Sequence, residues 1–352
     1  MKLQNKTIQR VLSGINFSGV DRLFQQFDQA LGMILMFHHV SDADEGKFAP
    51  NAHLTIHPDF LDAVIRLLKR RSIDIVSLDE ARQRIFNPVN DRRFAVFTFD
   101  DGYRDNLTTA LPVMKKYDVP FTVYVATGLI EGTADLWWRG IEALIRQQEH
   151  CLVQTGQGPL ELDCSSNVKK QQSFAKLLNY LQTEVEEEEV QQKVRELCWL
   201  YKIDLDTMRA DAMMTWDEIA QIAADPLCTI GAHTIQHPML SRLSAKDARQ
   251  EMLQGAAVLH AELGAKPAHF AFPYGFKAAA GPREFDIARK LRFKTAVTTR
   301  PGMIFAEHRD HMTALPRISV NGLFQRMRYF APLTSGLPTR LANKGRKVNV
   351  SA

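Results

Sequence analysis

Cysteine is scarce and poorly placed for chemistry: Cys151, Cys164, Cys198 and Cys228 are the four in 352 residues, with no C-x-x-C spacing among them. That excludes a zinc knuckle and offers no disulfide framework, so reduced, mostly buried thiols are expected. An excess of one charge is lacking too. Basic side chains number 44 against 40 acidic ones, a formal net charge of +4, which is too little for the concentrated basic face of a nucleic-acid binder. No uncharged apolar run is long enough to span a bilayer. The opening stretch MKLQNKTIQRVLSGINFSG has no long apolar core followed by a small-residue cleavage site. No export signal is read there, and a cytoplasmic location is expected.

What is present is ample material for a core: 45% hydrophobic residues with 24% charged ones in a chain of barrel size. Residues 1 to 32 read as an amphipathic helical segment, with Ile8, Val11, Leu12 and Ile15, then Leu23, Phe24, Phe27 and Leu31 at helical spacing. Packing that face against the domain is the expected use. Peripheral contact with the inner membrane is the lesser reading, helped by Lys2, Lys6 and Arg10.

From 33 to 335 short apolar runs alternate with helical patterns. Strands are expected at 33 to 37, 73 to 76, 94 to 99, 121 to 126, 228 to 232, 269 to 272, 293 to 298 and 314 to 320. Uninterrupted apolar runs such as MILMF and FAVF suit strands covered on both faces, and alternation with helices implies parallel pairing. Seven or so such strands favour an irregular, TIM-like (β/α)7 barrel over an open sheet. Between about 139 and 215 the pattern pauses in a Glu, Gln and Lys-rich stretch read as a helical insertion, and its acidic run EVEEEE (184 to 189) reads as a solvated helix face. Residues 336 to 352 read as a basic, flexible tail.

Active sites of barrels lie at the C-terminal ends of the strands. His38 follows the first strand, Asp100 and Asp101 in TFDDGY follow the third, His233 and His237 in HTIQH follow the fifth, and Pro273 and Tyr274 in FAFPYG follow the sixth. Adjacent carboxylates repel unless a cation offsets them. Two histidines and one aspartate, with open positions left for water, are the donor set of a catalytic rather than a structural metal. A second aspartate left free beside that ion is then a base for hydrolysis.

TFDDGY, HTIQH and FAFPYG, in that order, resemble the signature blocks of the polysaccharide deacetylases, the NodB-homology carbohydrate esterases. MFHHV and LPRISVNG extend the resemblance over about 33 to 322. It implies Asp100 as catalytic base, a divalent ion, most often Zn2+, on Asp101, His233 and His237, and the backbone N–H of Tyr274 as an oxyanion donor in a turn shaped by Pro273 and Gly275. The implied reaction removes the acetyl group of an N-acetylated sugar in a cell-surface glycan or its precursor, nucleotide- or lipid-linked. A deformylase, an O-acetyl esterase or a glycan-binding pseudoenzyme are the alternatives.

Two departures stand out. Ala271 occupies the place where many members carry the arginine partner of the base, with Arg317 as a substitute or else a surface ion pair. No late Leu-x-His block supplies a general acid, since His308 and His311 lie in a polar stretch, so His38 is the candidate acid or else a core histidine. Trp137 and Trp138 line a sugar groove or anchor the insertion, the second being the simpler use.

Overall fold

The computed structural model describes residues 2–88 and 92–350, the side chains of residues 2–4 apart. In chain order the strands are β1 (Gly32–Phe37), β2 (His39–Val40), β3 (Thr55–Ile56), β4 (Asp74–Ile75), β5 (Phe94–Phe99), β6 (Phe121–Val125), β7 (His150–Thr155), β8 (Gly158–Asp163), β9 (Cys228–Ala232), β10 (His269–Ala271), β11 (Thr295–Pro301) and β12 (Leu315–Ser319). Seven of them run β1-β12-β11-β10-β9-β6-β5, all parallel, and the β1–β5 pairing closes the ring. That closing register is continuous, from Gly32 opposite Phe94 to Phe37 opposite Phe99. The two-residue β4 adds to the lower edge of β5.

Every residue of β1 and β5 is buried, as a strand covered on both faces requires. The period-two alternation sorts them into two cores. Ile34, Val96, Tyr124, Ala271, Val297 and Leu315, one from each of six strands, form a separate cluster inside the ring. Leu35, Phe97, Val123, Phe270 and Ala296 belong to the larger cluster beneath the helices. Gly231 makes room for this interior: a Cβ there would stand 2.4 Å from the Tyr124 ring.

The region from 139 to 215 is not wholly helical. It contains the antiparallel ribbon β7–β8 as well as the helices Asn167–Thr183, Val190–Leu200 and Leu205–Ala212. Its strand signal is short: in HCLVQT the inward positions are Cys151 and Val153, while Leu152 stays exposed. The ribbon turns at Gly156 and Gln157, a two-residue connection with glycine at the reversal. Val153, Leu162, Leu177, Leu181, Val194 and Cys198 pack into a core of its own together with Trp137 and Trp138.

The tail is more tied down than its composition suggests. A helix runs Leu337–Ala342, Asn343 Nδ2 donates to the Pro301 carbonyl at 2.7 Å, and Arg300 Nη1 donates to the Asn349 carbonyl at 3.0 Å. Polar anchoring, invisible to a hydropathy reading, holds it; residues 351 and 352 lie outside the described part. All four cysteines are free, three of them buried. Among the described residues no helix is long and apolar enough to cross a membrane.

Candidate active site

Inward positions of β5 climb the ring as Val96, Thr98 and then Asp100, the first residue past the strand. Asp100 keeps sheet geometry, its N–H donating to the Phe37 carbonyl at 3.0 Å. Asp101 then turns the chain with φ at +77°, a left-handed conformation costly for a residue with a Cβ. Thr234, His237 and Tyr274 also have positive φ. Strain of about 1–3 kcal/mol at each such residue persists only where surrounding structure enforces it, and it gathers at functional sites.

The turn sends the two carboxylates to different partners. Asp101 Oδ1 lies 3.4 Å from His233 Nε2 and 3.3 Å from His237 Nε2. All three residues are buried, and their ligand atoms fall within 4.8 Å of one another. Asp101 Oδ1 is buried without a hydrogen-bond partner. Four donors at the tetrahedral distance of about 2.0–2.1 Å from a zinc-sized ion stand about 3.3–3.4 Å apart. The three residues therefore fit a divalent cation. His233 Nδ1 meets the Ala271 carbonyl at 2.7 Å, which places the proton on that nitrogen and leaves the Nε2 lone pair facing Asp101, as a metal ligand needs. Burial alone would raise the Asp101 pKa, but the two imidazoles outweigh it and hold the carboxyl well below its usual range.

Asp100 faces Arg317. Nη1 donates to Oδ1 at 2.7 Å and Nη2 to Oδ2 at 2.6 Å, a bidentate fork. The guanidinium is fully buried, and it also donates to the Thr298 carbonyl and to Thr98 Oγ1. Arg317 is thus no surface ion pair. It comes from β12, two residues past Leu315, with its guanidinium 5.9 Å from the Tyr124 ring centroid. Burial would raise the Asp100 pKa, yet the charge and hydrogen bonds of Arg317 prevail and lower it.

His38 Nε2 lies 4.0 Å from Asp100 Oδ2, beyond hydrogen-bond reach. Burial lowers its pKa to about 4, so the ring is neutral at pH 7. His308 is remote from this cluster: it sits in the turn Ala306–Asp310, where its Nδ1 accepts from the Phe305 N–H. That stretch follows Ile304, which bridges Gly32 at the foot of β1. The expectation of a polar loop fails for His308, which is fully buried.

Pro273, Tyr274 and Gly275 form a tight turn after β10, with the Gly275 N–H donating to the Pro273 carbonyl at 2.6 Å. Gly275 has φ +56°, and a Cβ on it would stand 2.7 Å from the Thr299 nitrogen, so only glycine fits. Pro273 is buried. The Tyr274 ring packs on His237 with centroids 5.1 Å apart. Trp138 approaches His237 from another side, also at 5.1 Å, and stands edge-on to Trp137. Both tryptophans are buried and belong to the core of the insertion. Trp138 does form part of the wall of a cavity of about 450 Å³ that also includes His39, Asn51 and Glu142.

Several residues that hold the HTIQH loop in place were not legible in the sequence. Glu251, from the helix Ala245–Leu263, accepts from the N–H groups of Ile235 and Gln236 at 3.0 and 2.9 Å. Gln191 of the insertion donates to the Gln236 carbonyl at 2.6 Å. Glu187 accepts from the Met239 N–H at 2.6 Å and pairs with Arg242 at 3.0 Å. The acidic run is therefore not a uniformly solvated face: Glu187 is half-buried, its side chain turned onto Met239 and Arg242 just past the HTIQH loop, and that partial burial raises its pKa. Only its membership of the run marked it, and composition alone cannot tell a docked glutamate from a solvated one.

The chain matches the polysaccharide deacetylase family model over residues 88–154 and 171–295, more than half of its length. No curated protein sequence matches it. Among solved structures it is similar to the Streptococcus pyogenes deacetylase PplD in complex with acetate, at TM-score 0.57 and 20% identity over 86% of this chain and 97% of that one. It is also similar to IcaB from Ammonifex degensii, at 0.55 and 18% over 87% and 98%. The BpsB deacetylase domain from Bordetella bronchiseptica aligns at 0.50 and 16% over 83% and 97%. At these identities the likeness is one of fold.

Proposed function

The chain belongs to the polysaccharide deacetylase family of hydrolases, and from that premise we propose that it removes the N-acetyl group of an amino sugar in a glycan or glycan precursor. The observation that carries this reading is the division of labour between neighbouring carboxylates. Asp101 turns into two imidazoles while Asp100 turns away into Arg317. A binding module has no use for a spare, ionised carboxylate held beside a metal-ligand set. The pseudoenzyme alternative drew on the missing arginine and the missing late histidine; Arg317, from another strand, stands in for the first.

Asp101, His233 and His237 would hold the divalent ion. Such an ion, when bound, acts as a Lewis acid that lowers the pKa of water and polarises the acyl oxygen. Asp100, kept ionised by Arg317, takes a proton from the water as its oxygen forms a bond to the acyl carbon. The Tyr274 N–H donates to the oxyanion that develops, a preorganised contact worth about 3 kcal/mol in comparable sites. Collapse then breaks the C–N bond, releasing acetate, and the amine needs a proton. His38 starts neutral, so it must first receive that proton, and Asp100 is the donor nearest to it. The 4.0 Å gap has to close on substrate binding, as hydrogen bonds of catalytic groups commonly do.

Support for acetyl as the acyl group comes from PplD, solved with acetate, the product this reaction would release. The test is acetate release from a panel of N-acetylated, N-formylated and O-acetylated sugars by zinc-loaded enzyme. N-acetyl substrates should be turned over, and a chelator should abolish the activity. A metal-loaded protein that releases no acyl group from any of them would end the proposal.

A further inference from the structure

Residues 5–27 present apolar side chains in the wrong direction for a helix that serves only to pack. The helix Lys2–Ser18 buries Leu12 against the domain, and the helix Val20–Phe27 turns Asp21 inward. Yet Val20, Leu23 and Phe27, at i, i+3 and i+7, form an apolar stripe on the outer side of the second helix, exposed by 42%, 58% and 77%. Ile8, Val11 and Phe17 of the first helix are exposed as well. The packing expected of this segment therefore accounts for only one of its two apolar faces.

Charge on the same surface has one sign. Lys6, Arg10 and Arg22 are exposed, and the one acidic residue in 5–27, Asp21, is buried. Beside the helices a cavity of about 540 Å³ takes Asn16, Arg22 and Gln25 on one wall and Arg70, Arg71 and Arg328 on the other. Asp21 engages Arg71 at 3.6 Å. Among the described residues Arg22, Arg70 and Arg328 have no carboxylate partner. Arginines grouped this way suit phosphate, for which their planar fork is adapted.

We propose that these two helices and the arginine cavity form a docking surface for an anionic lipid bilayer. The apolar stripe enters the headgroup boundary, and a lipid phosphate sits among the arginines. A second copy of the chain is the poorer occupant, because a two-fold contact through this patch would bring arginines against arginines. The second helix lies at the foot of the barrel, while the first reaches the segment after β12, where Gln9 Nε2 donates to the Leu323 carbonyl at 2.9 Å. The second helix ends shortly before the foot of β1, and Asp28 beside it pairs with Arg93, just before β5. This proposal does not depend on the catalytic reading.

The experiment is co-sedimentation of the full chain with vesicles of phosphatidylcholine alone or with about one third phosphatidylglycerol, at low and high salt. The expected result is binding to the anionic vesicles that weakens with salt and falls at least tenfold in the Phe17→Ser/Phe27→Ser variant. Arg22→Glu/Arg70→Glu should lose the preference for anionic lipid, with folding checked for both variants by circular dichroism and by urea unfolding. Absence of binding to anionic vesicles overturns the proposal. So does binding indifferent to both variants, or a dimer in sedimentation velocity that dissolves when Phe17 and Phe27 are replaced. Inorganic phosphate that binds the cavity as tightly in the Phe17→Ser/Phe27→Ser variant, without any vesicle binding by the parent, would make it a free-phosphate site and also overturn it.

Discussion

Replacing Arg317 by methionine keeps most of its volume and removes the guanidinium that pairs with Asp100. Both side chains are essentially buried, at 0% and 3% exposure. Breaking a buried pair by deleting one partner typically costs about 3–5 kcal/mol, because a charge is left alone in the interior. The variant can escape part of that cost by protonating Asp100. At 1.36 kcal/mol per unit, the same energy lifts a carboxyl from its ordinary pKa to about 6–8. In the parent enzyme the folded pKa is depressed, so the stabilisation from Asp100 is complete above the unfolded value of about 3.9 and lost as pH falls through the folded one. In the variant the sign reverses: the penalty grows as pH rises above the unfolded value, and acidification from pH 8 narrows the gap to the parent. The acid limb of kcat/KM should move upward by at least about 2 pH units, with metal content unchanged. In urea unfolding at pH 7, Arg317→Met should be less stable than the uncharged pair Asp100→Asn/Arg317→Met. An Arg317→Met enzyme with the parent's pH profile and stability would refute the assignment of Arg317 as the partner that keeps the base ionised.

His38→Ala should keep its metal and lose about 10²-fold in kcat; a normal kcat removes His38 from proton transfer. Glu187→Ala, which frees the Met239 N–H and Arg242, should weaken zinc affinity by roughly tenfold through the loosened ligand loop, measured by competition with a chromogenic chelator, and unchanged affinity would make the contact a mere staple. Burial lowers His269 and His308 to about 4, below the ordinary histidine value, so the unfolded chain takes up more protons between pH 6.5 and 4. Stability should therefore fall as pH drops through that window, by as much as about 3 kcal/mol for each histidine. Urea midpoints at pH 7 and pH 5 test this, and His308→Gln should flatten part of the slope.

The barrel was readable because its strands are continuous apolar runs separated by helical patterns, and β5 lies where FAVFTF placed it. The β7–β8 ribbon was not, because two six-residue strands with only Cys151, Val153 and Leu162 buried carry little signal inside a polar stretch. Asp100, Asp101, His233 and His237 could be grouped in advance because each follows a strand of one ring. The partnership of Asp100 with Arg317 could only be guessed: β5 and β12 both flank β1, a proximity created by ring closure that local sequence does not encode. Glu187 was misread for a related reason, since its burial depends on how the insertion docks on the Met239 loop.

The most direct test of the account measures metal content and acetate release on the same sample of Asp100→Asn protein. The account predicts a zinc stoichiometry equal to that of the parent, with turnover reduced about 10³-fold or more. An Asp100→Asn protein that has lost its zinc, or that still turns over at the parent's rate, would contradict the separation of metal ligand from base on which the account rests.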